Sequence, residues 1–352
     1  MSSTPISHVG EVGLIERLRQ VVELPSDDSL LQKNLLKGIS DDTAVYLPTE
    51  GYAQLITTDA FVEGIHFDLT YTSPIHLGWK ALAANLSDIA SMGGFPRYAV
   101  ISLALPNKIT VEFVEELYKG ILAACKQYTC LLVGGDTVAS SANMFLSITL
   151  VGEAPKDAVV YRSGAQVGDV ICVTGSLGAS QAGLKVLQRE KSRFTAAQQS
   201  EQFQPNLKPY TDVLEKHLMP KPRLDITPLL IKEGSLHAMI DISDGLAPEI
   251  HRICKESNTG AVIEELLIPI LETAKLVAAE FSENPVDYAL FGGEDYELLF
   301  TLSEEKFKHL QSLTNEITFV GHIVPKIEGI LLKKKTGETV ELPFGGWDHF
   351  PG

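Results

Sequence analysis

Residues 98–133 read YAVISLALPNKITVEFVEELYKGILAACKQYTCLLV. The apolar run Tyr98–Leu105 has strand character, Val111–Gln127 repeats its apolar positions at helical spacing, and Leu131–Val133 begins a second apolar run. A strand, a helix and a strand in that order point to an α/β unit. Moving upstream, Thr43–Leu47 and Ala53–Thr57 are further strand-like runs, and Pro74–Met92 is a long helical pattern. Downstream, Phe145–Val151 supplies another strand. At the start of the chain, Leu14, Ile15, Leu18, Val21 and Val22 predict a short amphipathic helix over Glu11–Glu23.

After Arg162-Ser163-Gly164-Ala165 the pattern restarts, with a strand at Asp169–Thr174, a turn at Gly175-Ser176-Leu177-Gly178 and a helix from about Ser180. A domain boundary is therefore expected close to residue 153, dividing the chain into 1–153 and 154–352. The weakly periodic stretch from Gln188 to Pro222 predicts one or two outer helices on the second domain.

The chain has 352 residues, of which 45% are hydrophobic and 28 are glycine, which suits an ordinary globular protein of two domains. Its formal charge of −16 excludes a general binder of nucleic acid or membrane surfaces, because no basic field is present to attract phosphates. An anionic substrate then needs metal ions as mediators. Cys125, Cys130, Cys172 and Cys254 sit in apolar stretches without metal-binding spacing and read as buried thiols of a reducing compartment. With neither a signal-like N-terminus nor an apolar run near the ~20 residues of a membrane span, a cytoplasmic protein is expected.

Five segments each carry an aspartate at or near the end of an apolar run: Gly38–Asp42, Thr57–Asp59, Asn85–Asp88, Gly134–Thr137 and Asp241–Gly245. Taken singly, an aspartate beside Gly or Ser is a turn or helix cap far more often than a metal ligand. Asp88 is harder to dismiss. From Gly78 to Met92 its helix has only Lys80 and Asp88 as charges, so the helix should be buried. A buried carboxylate costs several kcal/mol unless it is paired or metal-bound, and the two readings weigh equally.

Magnesium takes oxygen ligands, and Thr57, Thr58 and Ser243 add hydroxyls to the carboxylates. Gly134 and Gly135 would admit a phosphate against the backbone or serve only a tight turn. There is no P-loop and no protein-kinase signature. Phe291–Glu297 (FGGEDYE) and Phe344–Phe350 (FGGWDHF) are ordinary as a turn before a strand and as a packing cluster, although Trp347 would suit a flat cationic ring. His66 defaults to a structural histidine.

In this order, GISDDTA, TTDAFVEGIHF, KALAANLSDIASMGG, VGGDT, YRSGA with VGD, IDISDG, FGGEDYEL and GGWDHF closely resemble the thiamine-monophosphate kinase family, from about residue 9 to the end. That family shares a superfamily with aminoimidazole ribonucleotide synthetase, selenophosphate synthetase and hydrogenase-maturation proteins. The resemblance implies a two-domain α/β fold, with the N-terminal mixed sheet joining its partner's across a homodimer and a C-terminal α/β domain completing the site. It implies that Asp42, Asp59, Asp88, Asp136, Asp241 and Asp244 ligate several magnesium ions, helped by Thr57 or Thr58. ATP would meet Gly135, Arg162, Ser243 and Tyr118, and thiamine monophosphate would meet His66, Glu294 and Trp347. Asp59, Asp136, Arg162 and Asp244 would be the catalytic set.

The implied reaction makes thiamine diphosphate and ADP. Its nucleophile is a phosphate whose second pKa lies near ~6, so no general base is required at neutral pH. The obstacle is repulsion, about 4 kcal/mol per pair of unit charges at ~4 Å and an effective dielectric of ~20. Two rival readings remain: another ATP-dependent synthetase of the superfamily, and a non-catalytic thiamine-phosphate-binding regulator. No cysteine precedes Cys125, which disfavours the selenium branch, and the amidine-ligase branch leaves GGWDHF unexplained.

Overall fold

The computed structural model describes residues 4–22, 33–38, 43–197 and 204–346. The chain forms two compact units, residues 1–89 with 94–157, and residues 158–352 with the short piece 90–93.

The first unit opens with α1 (Ile6–Val21), which begins earlier than the apolar spacing predicts and contains a break at Gly10, where φ is 68°. Leu14, Leu18 and Val22 are buried, as the helical spacing requires. Strands β1 (Leu35–Lys37) and β2 (Val45–Tyr46) make a small antiparallel ladder. The main sheet is built from β3 (Tyr52–Val62), β4 (Phe95–Pro106), β5 (Leu131–Ser140) and β6 (Phe145–Pro155), in the order β3-β6-β4-β5. Only β4 and β5 run parallel, so the sheet is mixed.

Helices α2 (Pro74–Ser91) and α3 (Val111–Tyr128) follow β3 and β4. Thr110 caps α3, its hydroxyl accepting from the Phe113 N–H at 3.3 Å, and Thr129 ends it in the left-handed region. The two helices cross where both carry glycine. A Cβ on Gly78 would stand 2.1 Å from the Leu117 carbonyl, and one on Gly120 would stand 2.1 Å from that of Ile75. Only hydrogen at those positions permits backbone-to-backbone contact.

Strands β3 and β5 run well beyond the expected Thr57 and Val133, so Asp59 and Asp136 lie in mid-strand rather than at strand ends. Alternation gives the sheet two unlike faces. Ile101, Leu103, Ile148 and Leu150 are buried on one, whereas Ile56 and Val138 stay 72% and 52% exposed on the other.

The second unit contains β7 (Val170–Thr174), α4 (Ala179–Ala196), α5 (Thr211–Leu218), α6 (Thr227–Glu233), β8 (Ala238–Ile242), α7 (Leu246–Ser257), β9 (Gly260–Glu264), α8 (Glu272–Glu280), α9 (Pro285–Phe291), β10 (Glu297–Leu302), α10 (Glu304–Leu313), β11 (Ile317–Val324), β12 (Ile330–Lys333) and β13 (Thr339–Glu341). The sheet order is β13-β12-β9-β11-β7-β10-β8, with one parallel pair, β9 and β12. Its central strands are buried on both faces, since Ile171 and Val173 enter one apolar cluster while Val170 and Cys172 enter another. An unbroken apolar run such as Val170-Ile171-Cys172-Val173 is the sequence of such a strand. The 188–222 stretch supplies the end of α4 and all of α5, which pack closely: a Cβ on Gly183 would meet the Val213 carbonyl at 2.2 Å.

All four cysteines are buried thiols. Among the described residues, no helix is long and apolar enough to cross a membrane.

Candidate functional site

In the first unit, Thr57 and Asp59 point to the same face of β3, and α2 carries Asp88 to that face. The Thr57 hydroxyl donates to Oδ2 of Asp88. Asp59 has an Oδ2 that is buried without a hydrogen-bond partner. Burial and the nearby Asp88 charge push its pKa up to about 7. Two carboxylates that destabilise each other's charge, one with an orphaned oxygen and a hydroxyl alongside, fit the hard-oxygen preference of a magnesium ion that retains water and substrate ligands. Among the described residues, no three acidic, histidine or cysteine side chains gather closely enough to enclose a metal by themselves.

The other predicted ligands of this unit are placed elsewhere. Asp136 is in register with Ser102, Ser102 with Ser147, and Ser147 with Ala60. Asp136 therefore belongs to the open face, at the sheet edge opposite Asp59, with two strands between them. At a strand spacing of about 4.8 Å, their backbones are roughly 14 Å apart. Thr58 shares the open face and makes a hydroxyl contact with Thr149 at 3.0 Å. Gly135 lies in β5 rather than a turn, where a Cβ would come 2.5 Å from the Ile101 carbonyl. Asp42 lies outside the described residues.

His66 is held in the turn after β3, its Nδ1 accepting from the Val62 N–H at 3.0 Å. That bond fixes the orientation of the ring. Tyr118 is only 6% exposed and its ring belongs to the core beneath α3, so its hydroxyl titrates well above the ordinary range because of burial.

In the second unit, three motifs that are far apart in sequence meet. Asp241 is the buried penultimate residue of β8, and Ser243-Asp244-Gly245 turn into α7. Gly245, at φ 114°, leaves no room for a side chain, since a Cβ would touch the Leu290 carbonyl at 2.5 Å. The Ser243 carbonyl accepts from the Glu294 N–H at 2.7 Å, and the Ile242 carbonyl accepts from the Tyr296 N–H at 2.9 Å. Glu294 and Tyr296 both take positive φ, 57° and 51°. Such strain is tolerated only where the surroundings enforce it. Gly346 brings the C-terminal segment to the same place: a Cβ there would meet the Asp244 carbonyl at 2.9 Å and Pro248 at 2.8 Å. His251 secures that segment, its Nε2 lying 2.8 Å from the Leu342 carbonyl and its ring edge-on to Phe344. Trp347 follows directly but lies outside the described residues.

The acids of FGGEDYE have distinct tasks. Asp295 is buried and accepts from the Gly178 and Ser180 N–H groups at 2.7 and 3.3 Å, so it caps α4; desolvation raises its pKa to about 7. Glu297, also buried, meets Lys216 Nζ at 2.6 Å, Arg223 Nη1 at 2.8 Å and the Thr174 hydroxyl at 2.7 Å. Glu294 Oε2 lies 3.5 Å from His217 Nδ1, and that nitrogen is 3.0 Å from the Ser180 hydroxyl. Arg162 is exposed on a loop anchored on both sides. The Tyr161 carbonyl accepts from the Met239 N–H at 2.9 Å, and the Ser257 hydroxyl accepts from the Gly164 and Ala165 N–H groups at 3.1 Å.

Sequence reading missed His217, Lys216, Arg223, Glu249 and Arg252. Only the last two left a local signal, an acid–base pair at i,i+3 on α7. The others come from distant segments.

Residues 40–154 match the N-terminal domain of AIR synthase related proteins, and residues 166–331 match the C-terminal domain. The thiamine-monophosphate kinase of Aquifex aeolicus is 35% identical over 347 residues, covering 98% of this chain and 99% of its own. That of Bacillus subtilis is 34% identical over 319 residues, or 89% and 93% of the two chains. A solved structure described as AaThiL complexed with AMPPCP and TMP superposes with a TM-score of 0.73 at 33% identity, covering 99% of this chain and all of that one. Thiamine-monophosphate kinase from Stenotrophomonas maltophilia gives a TM-score of 0.77 at 29% identity over 94% and 98%. The Escherichia coli hydrogenase-maturation protein HypE, at 17% identity and a TM-score of 0.70 over 96% and 98%, shares the fold. With matches at this identity running almost end to end, the chain belongs to the thiamine-monophosphate kinase family.

Proposed function

We propose that this protein transfers the terminal phosphoryl group of ATP to thiamine monophosphate, giving thiamine diphosphate and ADP. The observation that carries the reading is the near end-to-end match to relatives named for this activity, together with a solved relative described as a complex with AMPPCP and TMP.

Asp59 and Asp88 would hold a magnesium ion on the helix-covered side of β3, with Thr57 keeping Asp88 turned toward the sheet. Asp241 and Asp244 would hold a further ion at the end of β8, and Asp42 and Asp136 complete the proposed ligand set. When bound, magnesium supplies positive charge that offsets the repulsion between the two phosphate chains. The acceptor phosphate is already mostly dianionic at neutral pH, so no side chain is assigned as a base. Arg162 and Ser243 would contact the nucleotide, as would the backbone at Gly135. Glu294, His66 and Trp347 would receive thiamine monophosphate. Tyr118 is left out of the set because its ring is committed to the core.

A homodimer is part of the same reading. The sheet face of the first unit that carries Ile56, Val100 and Val138 leaves them exposed, apolar area that a second copy would bury. Light scattering is expected to give twice the chain mass, and Ile56→Lys with Val138→Glu to give the single-chain mass.

The function is tested by ADP release with ATP and magnesium across thiamine monophosphate, free thiamine and formylglycinamidine ribonucleotide. Turnover with thiamine monophosphate is expected. Turnover with the last compound alone would overturn the proposal while leaving the fold intact.

A further inference from the structure

On the first turns of α7, Arg252 is engaged by two carboxylates. Its Nη2 donates to Asp244 Oδ2 at 2.6 Å and its Nη1 to Glu249 Oε1 at 2.5 Å. Glu249 is fully buried, and the same Oε1 accepts from the Asp244 N–H at 3.2 Å. Its second oxygen, Oε2, is buried with no hydrogen-bond partner. One guanidinium thus spans a half-exposed acid and a buried one, and the buried acid keeps an acceptor in reserve.

We infer that Arg252 is a built-in counter-ion of Asp244 which a divalent cation must displace, with Glu249 retaining the released guanidinium. The inference rests on the proposed role of Asp244 as a cation ligand. A cation at Asp244 and a guanidinium on the same carboxylate repel each other, so both cannot keep the short contact. Glu249 makes the exchange inexpensive. Its unused oxygen offers a second acceptor for a two-pronged arginine–carboxylate pair, the geometry this side chain favours. Arg252 would therefore offset the repulsion between Asp244 and the buried Glu249 in the empty protein and weaken cation binding there. A merely structural arginine would do the reverse, since its loss would loosen the site.

The test is titration of the full chain with Mn2+ alone, followed by electron paramagnetic resonance of the free ion. Arg252→Gln, whose amide can still donate to Glu249, is expected to bind Mn2+ about three- to tenfold more tightly than the parent, in line with loss of one partly exposed competing pair. Arg252→Lys, with a single ammonium in place of a fork, should fall between the two, and carries the test if the glutamine variant does not fold. Asp244→Asn should lose the affinity of this site. Unchanged or weaker Mn2+ binding in the Arg252 variants, with loss in Asp244→Asn, overturns the counter-ion role and leaves the metal site standing. Unchanged binding in Asp244→Asn removes Asp244 as a ligand, and the inference with it.

Discussion

The Thr57 hydroxyl donates to the Asp88 carboxylate across the packed surface between β3 and α2, beside an Asp59 oxygen that has no partner. In the metal-free protein this arrangement is electrostatically unfavourable, and Asp59 titrates at about 7 because of burial first and Asp88 second.

The sign of the pH dependence follows. A carboxyl whose folded pKa lies above its unfolded value of 3.8 contributes stability that is complete below pH ~4 and is lost as pH rises through about 7. At 1.36 kcal/mol per unit, the loss is at most on the order of 4 kcal/mol. Thermal melts of the metal-free protein should show Tm falling between pH ~4 and ~7 and levelling above that, with magnesium restoring it. Asp59→Asn should reduce that slope, leaving the part that the similarly raised Asp295 contributes, weaken the magnesium response and lower phosphoryl transfer by ~100-fold or more. A Tm that rises across the window would contradict this account.

Asp136 is exposed in β5, so Asp136→Asn should leave urea-unfolding stability within about 0.5 kcal/mol of the parent. Turnover should nevertheless fall by ~100-fold or more, as expected for loss of a ligand that acts in the transition state. Near-parental turnover would remove Asp136 from the ligand set.

Trp347→Ala should raise KM for thiamine monophosphate much more than KM for ATP. Gly346→Ala should reproduce that selectivity, because a Cβ at φ 96° would collide with the Asp244 carbonyl and Pro248 and lift the C-terminal segment from its seat. Equal changes in both constants would take Trp347 out of the acceptor site.

Glu297→Gln tests the buried ion network that ties α5 and its following loop to β10. Lys216 and Arg223 would lose their shared counter-charge, a change that typically costs about 3–5 kcal/mol. Chemical denaturation measures the loss directly. A stability change below ~1 kcal/mol would show that the network carries little weight.

Much of the fold was legible because hydrophobic periodicity is a local property. Val111–Tyr128 advertises a helix by burying Val114, Leu117, Ile121 and Cys125 at helical spacing, and Val170–Thr174 advertises a buried strand by having no polar face. Ends were less legible. The run that begins at Leu131 continues as a strand through Gly134-Gly135-Asp136, because pairing with β4 overrides a sequence that favours a turn.

The sequence by itself determined which side chains are available: an acidic protein with aspartates in five recurrent settings, a hydroxyl pair at 57–58 and a single tryptophan beside two glycines near its end. Only the tertiary structure decided how they are grouped. Thr57 faces Asp88 while Thr58 faces away, since adjacent strand residues point to opposite sides. Asp59 and Asp136 look alike as strings, yet one is desolvated against α2 and the other lies on the open face. The Asp244–Arg252–Glu249 arrangement depends on which face of α7 is buried, and the Glu297 network on contacts between residues more than 70 apart. Electrostatics acts through distance and burial, and neither is written in the order of residues.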